Sequence, residues 1–160
     1  MTLTVRTYPD PILKTVCTPV TTFGTELLPT VQSMVATMIS QRGVGLAANQ
    51  VGLTERMFVM EVEDSYQEFI NPEILEQSEE VKSKEGCLSF PGVFASVTRY
   101  NKIKIRAKTF MGNDVEKELT GRDAICFQHE IDHLNGIVFL DYLGTVKRML
   151  LDKKLQKLKK

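Results

Sequence analysis

Both histidines of the 160-residue chain fall in one run, Gln128-His129-Glu130-Ile131-Asp132-His133-Leu134-Asn135-Gly136. Side chains four positions apart leave the same face of an α-helix one turn apart, so a helix here aims both imidazoles at one point. Ala124, Ile125, Phe127, Ile131 and Leu134 supply apolar contacts at near-helical spacing, and Gly136 is a natural stop. The result is a bidentate metal site on one rigid element, around which the rest of the chain is organised. Glu130 directly follows the first histidine and can lean toward the same edge, where metal-assisted hydrolysis needs a general base. The competing reading is a surface helix that carries two histidines by coincidence, because HExxH alone has false positives.

Two histidines do not hold a catalytic metal by themselves; three protein ligands and an open position are usual. Asp141 is one candidate for the third, although it is short and follows an apparent strand at 137–140. Cys126 shares the helix face, but it lies about 10 Å along the axis from His133, and its Cβ points toward the helix N-terminus. That direction leads away from a metal held between 129 and 133, so packing beside the site suits Cys126 better. Cys87 remains, in a turn behind Gly86 that presents a thiolate without a bulky neighbour. Two histidines and one cysteine with an open position make a catalytic rather than a closed structural geometry.

Elsewhere the chain reads as one domain over 1–160 with no internal repeat or linker. Residues 1–24 are irregular, broken by Pro9, Pro11 and Pro19. The spacing of Leu27, Leu28, Val31, Met34, Val35, Met38 and Ile39 predicts a helix over 25–42, ended by Gly43. Met57-Phe58-Val59-Met60-Glu61-Val62 predicts a buried strand, and 69–70 a second that Asn71-Pro72 stops. Residues 85–92 are rich in turn formers. Residues 101–109 alternate basic and apolar side chains, predicting a half-exposed strand that Met111-Gly112-Asn113 turns into a partner at 114–119. A short apolar strand is expected at 137–140 and a terminal helix from about Thr145.

Three cysteines (Cys17, Cys87 and Cys126) make no disulfide framework, and Met1-Thr2-Leu3-Thr4-Val5-Arg6 lacks the pattern of a secretory signal, so a reducing, cytoplasmic setting is expected. No apolar run approaches the roughly 20 residues that span a bilayer, and nothing points to DNA.

Three separated runs, Gly43-Val44-Gly45-Leu46-Ala47-Ala48-Asn49-Gln50, Glu85-Gly86-Cys87-Leu88-Ser89 and Gln128-His129-Glu130-Ile131-Asp132-His133, resemble the three signature motifs of peptide deformylase in order and separation. The resemblance extends from Tyr8-Pro9-Asp10-Pro11 to Tyr142. It implies an α+β fold in which small antiparallel sheets surround a central HExxH helix, with a C-terminal helix. It implies removal of the formyl group from the formylmethionine that begins new polypeptides. By resemblance, Cys87, His129 and His133 are metal ligands and Glu130 the acid/base. Gln50 and the Leu88 backbone N–H form the oxyanion site, and Val44, Gly45, Ile125 and Cys126 lie around the substrate beside His129. The family metal is ferrous iron, with zinc, nickel or cobalt able to substitute, although raw affinity ordering at such a site favours zinc. Tyr100 stands where the family commonly has proline after Arg99, and the connection between Glu63 and Gln67 is short; both departures lie outside the motifs.

Residues 145–160 hold seven basic side chains and one acid, a balance of +6, so in a chain of zero net charge the other 144 residues carry −6. The tail reads either as a solvated helix packed on the body or as a dock for ribosomal RNA, which the resemblance supports. In the tail, Val146, Met149 and Leu150 make one apolar stripe, and Leu151, Leu155 and Leu158 another. Two other functions compete: an HExxH zinc endopeptidase, which needs a third ligand beyond His133, and a non-catalytic metal- or ribosome-binding module, which needs a fourth ligand.

Overall fold

The computed structural model describes residues 1–158; Lys159 and Lys160, the last cations of the basic tail, lie outside the described residues. In chain order come helix α1 (Leu28–Ser40), strands β1 (Gly45–Ala47), β2 (Met57–Val62), β3 (Ser65–Cys87), β4 (Phe90–Lys108) and β5 (Asp114–Thr120), and helices α2 (Gly121–Leu134) and α3 (Thr145–Leu158). The expected α+β fold is present, with its strands joined in one antiparallel ladder that follows sequence order.

β2 decides where the first two helices go. It is apolar at every position but Glu61, so both of its faces are buried. Phe58, Met60 and Val62 join Phe69, Ile103, Ile105 and Leu119 against Ala124, Phe127, Ile131 and Leu134 of α2. The rings of Phe58, Phe69 and Phe127 meet at centroid separations of 5.0, 5.3 and 5.4 Å, with Phe127 edge-on to both partners. Met57 and Val59 face the other way, onto Val31, Met34 and Met38 of α1. This part of the sheet is therefore held between α1 and the histidine-bearing α2. A short 3-10 turn, Thr25–Leu27, leads into α1, and Pro29 lies in its first turn, where a missing N–H costs little.

The β3–β4 hairpin is longer than its sequence suggests. The strand expected to stop at Asn71-Pro72 runs on to Cys87. The register shifts between Ile70 and Glu73, so Pro72 falls where the ladder needs no N–H. Asn71 takes a left-handed φ of 50°, and its side-chain amide binds both the N–H and the carbonyl of Val20, at 2.8 and 2.9 Å. Residues 75–80 are exposed on both faces, which removes the alternation that marks a strand. In β4, Val93, Ala95, Val97 and Arg99 point inward at period two, behind a Pro91-Gly92 pair that reads as a turn. Farther along β4 the predicted alternation holds, with Ile103, Ile105 and Ala107 buried. Lys104, Arg106 and Lys108 meet Glu116, Glu73 and Asp114 outside; solvent screening leaves such exposed pairs little weight in stability.

A second core lies under the far half of this hairpin. Phe90, Val93, Ala95 and Val97 pack on Leu13, Val138, Phe139, Leu140 and Leu155. The strand expected at 137–140 does not form: the Val138 N–H donates to the Asp141 carboxylate at 2.9 Å, and Phe139–Tyr142 coil into a 3-10 turn. The run is apolar because it is buried core, not because it pairs. α3 begins at Thr145 as expected and docks through Leu151 and Leu155. Val146, Met149 and Leu150, the other expected stripe, remain 72%, 56% and 63% exposed.

Gly136 ends α2 with a φ of 72°, and a Cβ there would stand 2.9 Å from the Lys14 carbonyl carbon. Gly136→Ala combines left-handed strain with a backbone clash and is expected to cost about 2–4 kcal/mol. Urea unfolding reads this as a lower midpoint at unchanged m-value; an unshifted midpoint would show that the turn relaxes without cost.

Candidate metal centre

α2 brings the two histidines together as the four-residue spacing requires. Their Nε2 atoms are 3.2 Å apart, and the Cys87 Sγ, at the end of β3, lies 3.3 Å from that of His133. The three donor atoms all fall within 4.8 Å of one another. A tetrahedral ion separates two nitrogen ligands by about 3.4 Å and a nitrogen from a sulfur by about 3.6 Å. The observed spacing fits one divalent ion with a fourth position left open. Cys87 reaches the helix because the hairpin reverses within Leu88-Ser89, pairing Cys87 with Phe90. A Cβ on Gly86 would lie 2.8 Å from the exposed Phe94 ring, which would have to swing aside.

The other candidate ligands are engaged elsewhere. Asp141 binds Lys14 at 2.6 Å and Arg148 at 3.0 Å and accepts the Val138 N–H. The Cys126 Sγ faces the Val44 carbonyl at 3.8 Å. Burial and the neighbouring Glu130 carboxylate push its thiol well above its ordinary value, which keeps it protonated.

Behind the donors runs a chain of charges that sequence reasoning did not single out. His129 Nδ1 is 2.9 Å from Glu85 Oε1. Glu85 accepts Nε and Nη2 of Arg99, both at 2.8 Å, and Arg99 Nη1 donates to Asp132 at 2.7 Å. The Tyr142 hydroxyl also donates to Asp132, at 2.6 Å. Burial alone would raise the Glu85 carboxyl, but Arg99 and His129 override it and hold it at about 2. An ionised Glu85 keeps the His129 proton on Nδ1 and leaves Nε2 free for a metal. Burial pushes His133 well below its ordinary value, which favours the neutral ligand form. A signal for Arg99 existed in the sequence: it is a charge at an inward position of the Val93, Ala95, Val97 alternation.

In front of the donors is a cavity of about 740 Å³, lined by Val44, Gly45, Gln50, Leu88, Ile125, Cys126 and Glu130 together with Cys87 and His129. Gln50 sits in the 3-10 turn Ala48–Val51. Its Oε1 accepts the Ala47 N–H at 2.9 Å, which turns Nε2 toward Cys87 Sγ at 3.4 Å and Ser89 Oγ at 3.1 Å. Glu130 is 4% exposed, and burial raises its carboxyl to about 7. Its Oε1 has no partner among the described residues, and a Cβ on Gly45 would stand 2.6 Å from its Oε2. Asn49, also overlooked in the sequence, donates from Nδ2 to the His133 carbonyl and ties the end of α2 to the Gln50 turn.

Removing the Arg99 guanidinium would strand Glu85 and Asp132 without a cation. Arg99→Met is expected to cost about 3–5 kcal/mol, read from denaturant unfolding. A loss below about 1 kcal/mol would mean that water replaces the guanidinium freely.

The sequence model of the polypeptide deformylase family matches residues 2–149. A peptide deformylase from Thermotoga neapolitana is 46% identical over 157 residues, covering 98% of this chain and 96% of that protein. One from Chromobacterium violaceum is 42% identical over 161 residues, covering 99% and 96%. The crystal structure of a peptide deformylase from Legionella pneumophila superposes with a TM-score of 0.94 at 38% identity, covering 99% of this chain and 96% of that one. The matched segment includes Gln50, Cys87, His129 and Glu130, which line one cavity, and His133, whose donor atom lies beside those of Cys87 and His129; the chain belongs to the polypeptide deformylase family.

Proposed function

We propose that Cys87, His129 and His133 hold one divalent ion, ferrous iron in the cell, and that Glu130, Gln50 and the Leu88 N–H act on a formyl group placed beside it. The reaction is hydrolysis of the formyl group from the N-formylmethionine of a new polypeptide, releasing formate. The observation that carries this reading is the convergence of three metal-type donors, an amide donor and a buried carboxylate on one cavity. A divalent ion held by these three residues would supply Lewis acidity, lowering the pKa of a nearby water toward about 7. Glu130, with a carboxyl raised to about 7, takes the proton of the attacking water and returns it to the departing amine. Gln50 Nε2 is already turned toward the hairpin tip and donates, with the Leu88 N–H, to the oxygen that gains charge. Val44, Gly45, Ile125 and Cys126 wall the space for the methionine side chain. Gly45 serves by having no Cβ, which leaves Glu130 in place.

The endopeptidase reading loses its downstream ligand, because Asp141 is committed to Lys14 and Arg148. The closed structural site loses its fourth ligand among the described residues. No helix in the described residues is long and apolar enough to cross a membrane. A cytoplasmic location belongs to this reading: its substrate is a newly made chain, and a reducing compartment suits the three free cysteines.

The test is formate release from a formyl-Met tripeptide, on protein prepared without oxygen and analysed for metal. Cys87→Ala should lose stoichiometric metal and Cys126→Ala should keep it; the reverse pattern would exchange their roles. Glu130→Gln keeps all three ligands, so metal should stay while kcat falls about 10²–10⁴-fold. A fall smaller than about tenfold would remove Glu130 from proton transfer. Zinc in place of iron in the native protein would overturn the choice of metal.

The ribosome is the further partner proposed, through the cationic face of α3, where Lys147, Lys153 and Lys157 are exposed. Leu155 is buried in the second core, so charge removal tests this better than truncation. Lys153→Gln with Lys157→Gln should weaken binding to purified ribosomes and flatten its salt dependence. Unchanged affinity and slope would leave α3 as a packed, solvated helix.

A further inference from the structure

The mouth of the cavity has a charge pattern that the hydrolysis does not use. Arg42, Lys84 and Arg122 line it from three separate elements: the end of α1, β3 and the first turn of α2. All three side chains are exposed, and none has a carboxylate within 4.0 Å among the described residues. The carboxylates that also line the cavity, Glu85 and Glu130, sit at its inner end, and Glu85 is already met by Arg99 and His129. The mouth is therefore cationic while most of the body is acidic.

Two further features accompany this charge. Arg42 holds a left-handed φ of 58° directly after α1, a position where glycine is free of strain and an arginine is not. Phe94 is 61% exposed at the mouth, with the Lys84 ammonium 5.9 Å from its ring centroid. Phe94 and Lys84 also border a smaller neighbouring hollow of about 320 Å³, lined on its other side by Lys147, Leu150 and Leu151 of α3. A peptide with its first residue in the inner cavity leaves over an aromatic platform flanked by cations.

We propose that Arg42, Lys84 and Arg122 form a cationic rim that selects N-formylmethionyl peptides carrying an acidic side chain directly after the methionine, against peptides that are basic there. The proposal rests on the deformylase reading of the same cavity. Each exposed ion pair shifts an equilibrium by a factor of about 1.4–5. Changing the peptide from acidic to basic turns attraction into repulsion at the same cations, so the acidic-to-basic ratio in kcat/KM is on the order of tenfold at low salt. The cations lie at the mouth, away from the inner histidines, so the difference belongs in KM, with kcat nearly level across the peptides.

The test compares formyl-Met-Glu-Ser, formyl-Met-Gln-Ser and formyl-Met-Lys-Ser by formate release on the metal-loaded enzyme. Salt is set at about 0.05 M and about 0.5 M to change the screening length. The expected order is Glu, then Gln, then Lys, carried in KM and compressed at high salt. In Arg42→Gln/Lys84→Gln/Arg122→Gln the Glu-to-Lys ratio should approach one; the ratio is taken within each enzyme, so a general loss of activity does not affect it. If the triple variant does not fold, Arg42→Gln and Arg122→Gln should each lower the ratio separately. Equal kcat/KM for the three peptides, or a ratio unmoved by salt and by the variants, overturns the rim. Formate release from none of them overturns the deformylase reading beneath it, a result distinct from equal turnover.

Discussion

The buried pairing of Arg99 with Glu85 and Asp132 is the interaction on which the rest depends. Arg99 is 3% exposed, on a strand whose other inward residues are apolar. A lone guanidinium in that place would be strongly unfavourable; here both ends of its fork are met by carboxylates. One carboxylate comes from β3 and one from α2, so the cation on β4 ties the hairpin to the helix. The Tyr142 hydroxyl extends the tie to the C-terminal segment, and its ring lies 5.3 Å from the guanidinium carbon. The same pairing keeps Glu85 ionised beside His129, so a contact that positions the backbone also sets which imidazole nitrogen faces the cavity.

The front of the centre is built on the opposite principle. The buried side-chain atoms left without partners in the described residues are Asn49 Oδ1, Glu130 Oε1 and His133 Nδ1. Of these, Glu130 lines the cavity; His133 meets the other donors through Nε2 rather than Nδ1, and Asn49 holds the His133 carbonyl. Protein interiors rarely leave such groups unmet, and at Glu130, which lines the cavity, an unspent lone pair has a use in proton transfer. Behind the histidines every charge is answered, while in front of them a carboxylate is kept poised by burial. Local rules obeyed throughout the scaffold and relaxed at one spot are a mark of function.

Much of this was legible in the sequence because it depends on short-range spacing. The HExxH helix, α1, the buried β2 and the hairpin from Ile103 to Leu119 follow from periodicity alone. The preference for Cys87 over Cys126 followed from the direction in which a helical Cβ points. The missing parts depend on partners distant in sequence. The polar stretch of β3 carries no period because it has no buried face, and Asn71-Pro72 reads as an end although a register shift carries the strand past it. Residues 137–140 look like a strand because apolar runs do not declare whether they pair or merely fill. Arg99 was visible as an anomaly, but its meaning required knowing that Glu85 and Asp132 would stand opposite.

The two-residue tip at Leu88-Ser89 has a consequence for how the molecule holds together. It carries one donor from the end of a hairpin to two donors on a helix 42 and 46 positions later. A divalent ion spanning them closes a long covalent loop, as a crosslink does, and binds only when hairpin and helix have already met. Folding and ion uptake are then one coupled equilibrium, in which occupancy stabilises the native chain by RT ln(1 + [L]/Kd). With an ion held as proposed, the tip would also act as a thermodynamic clasp between the hairpin and the helix.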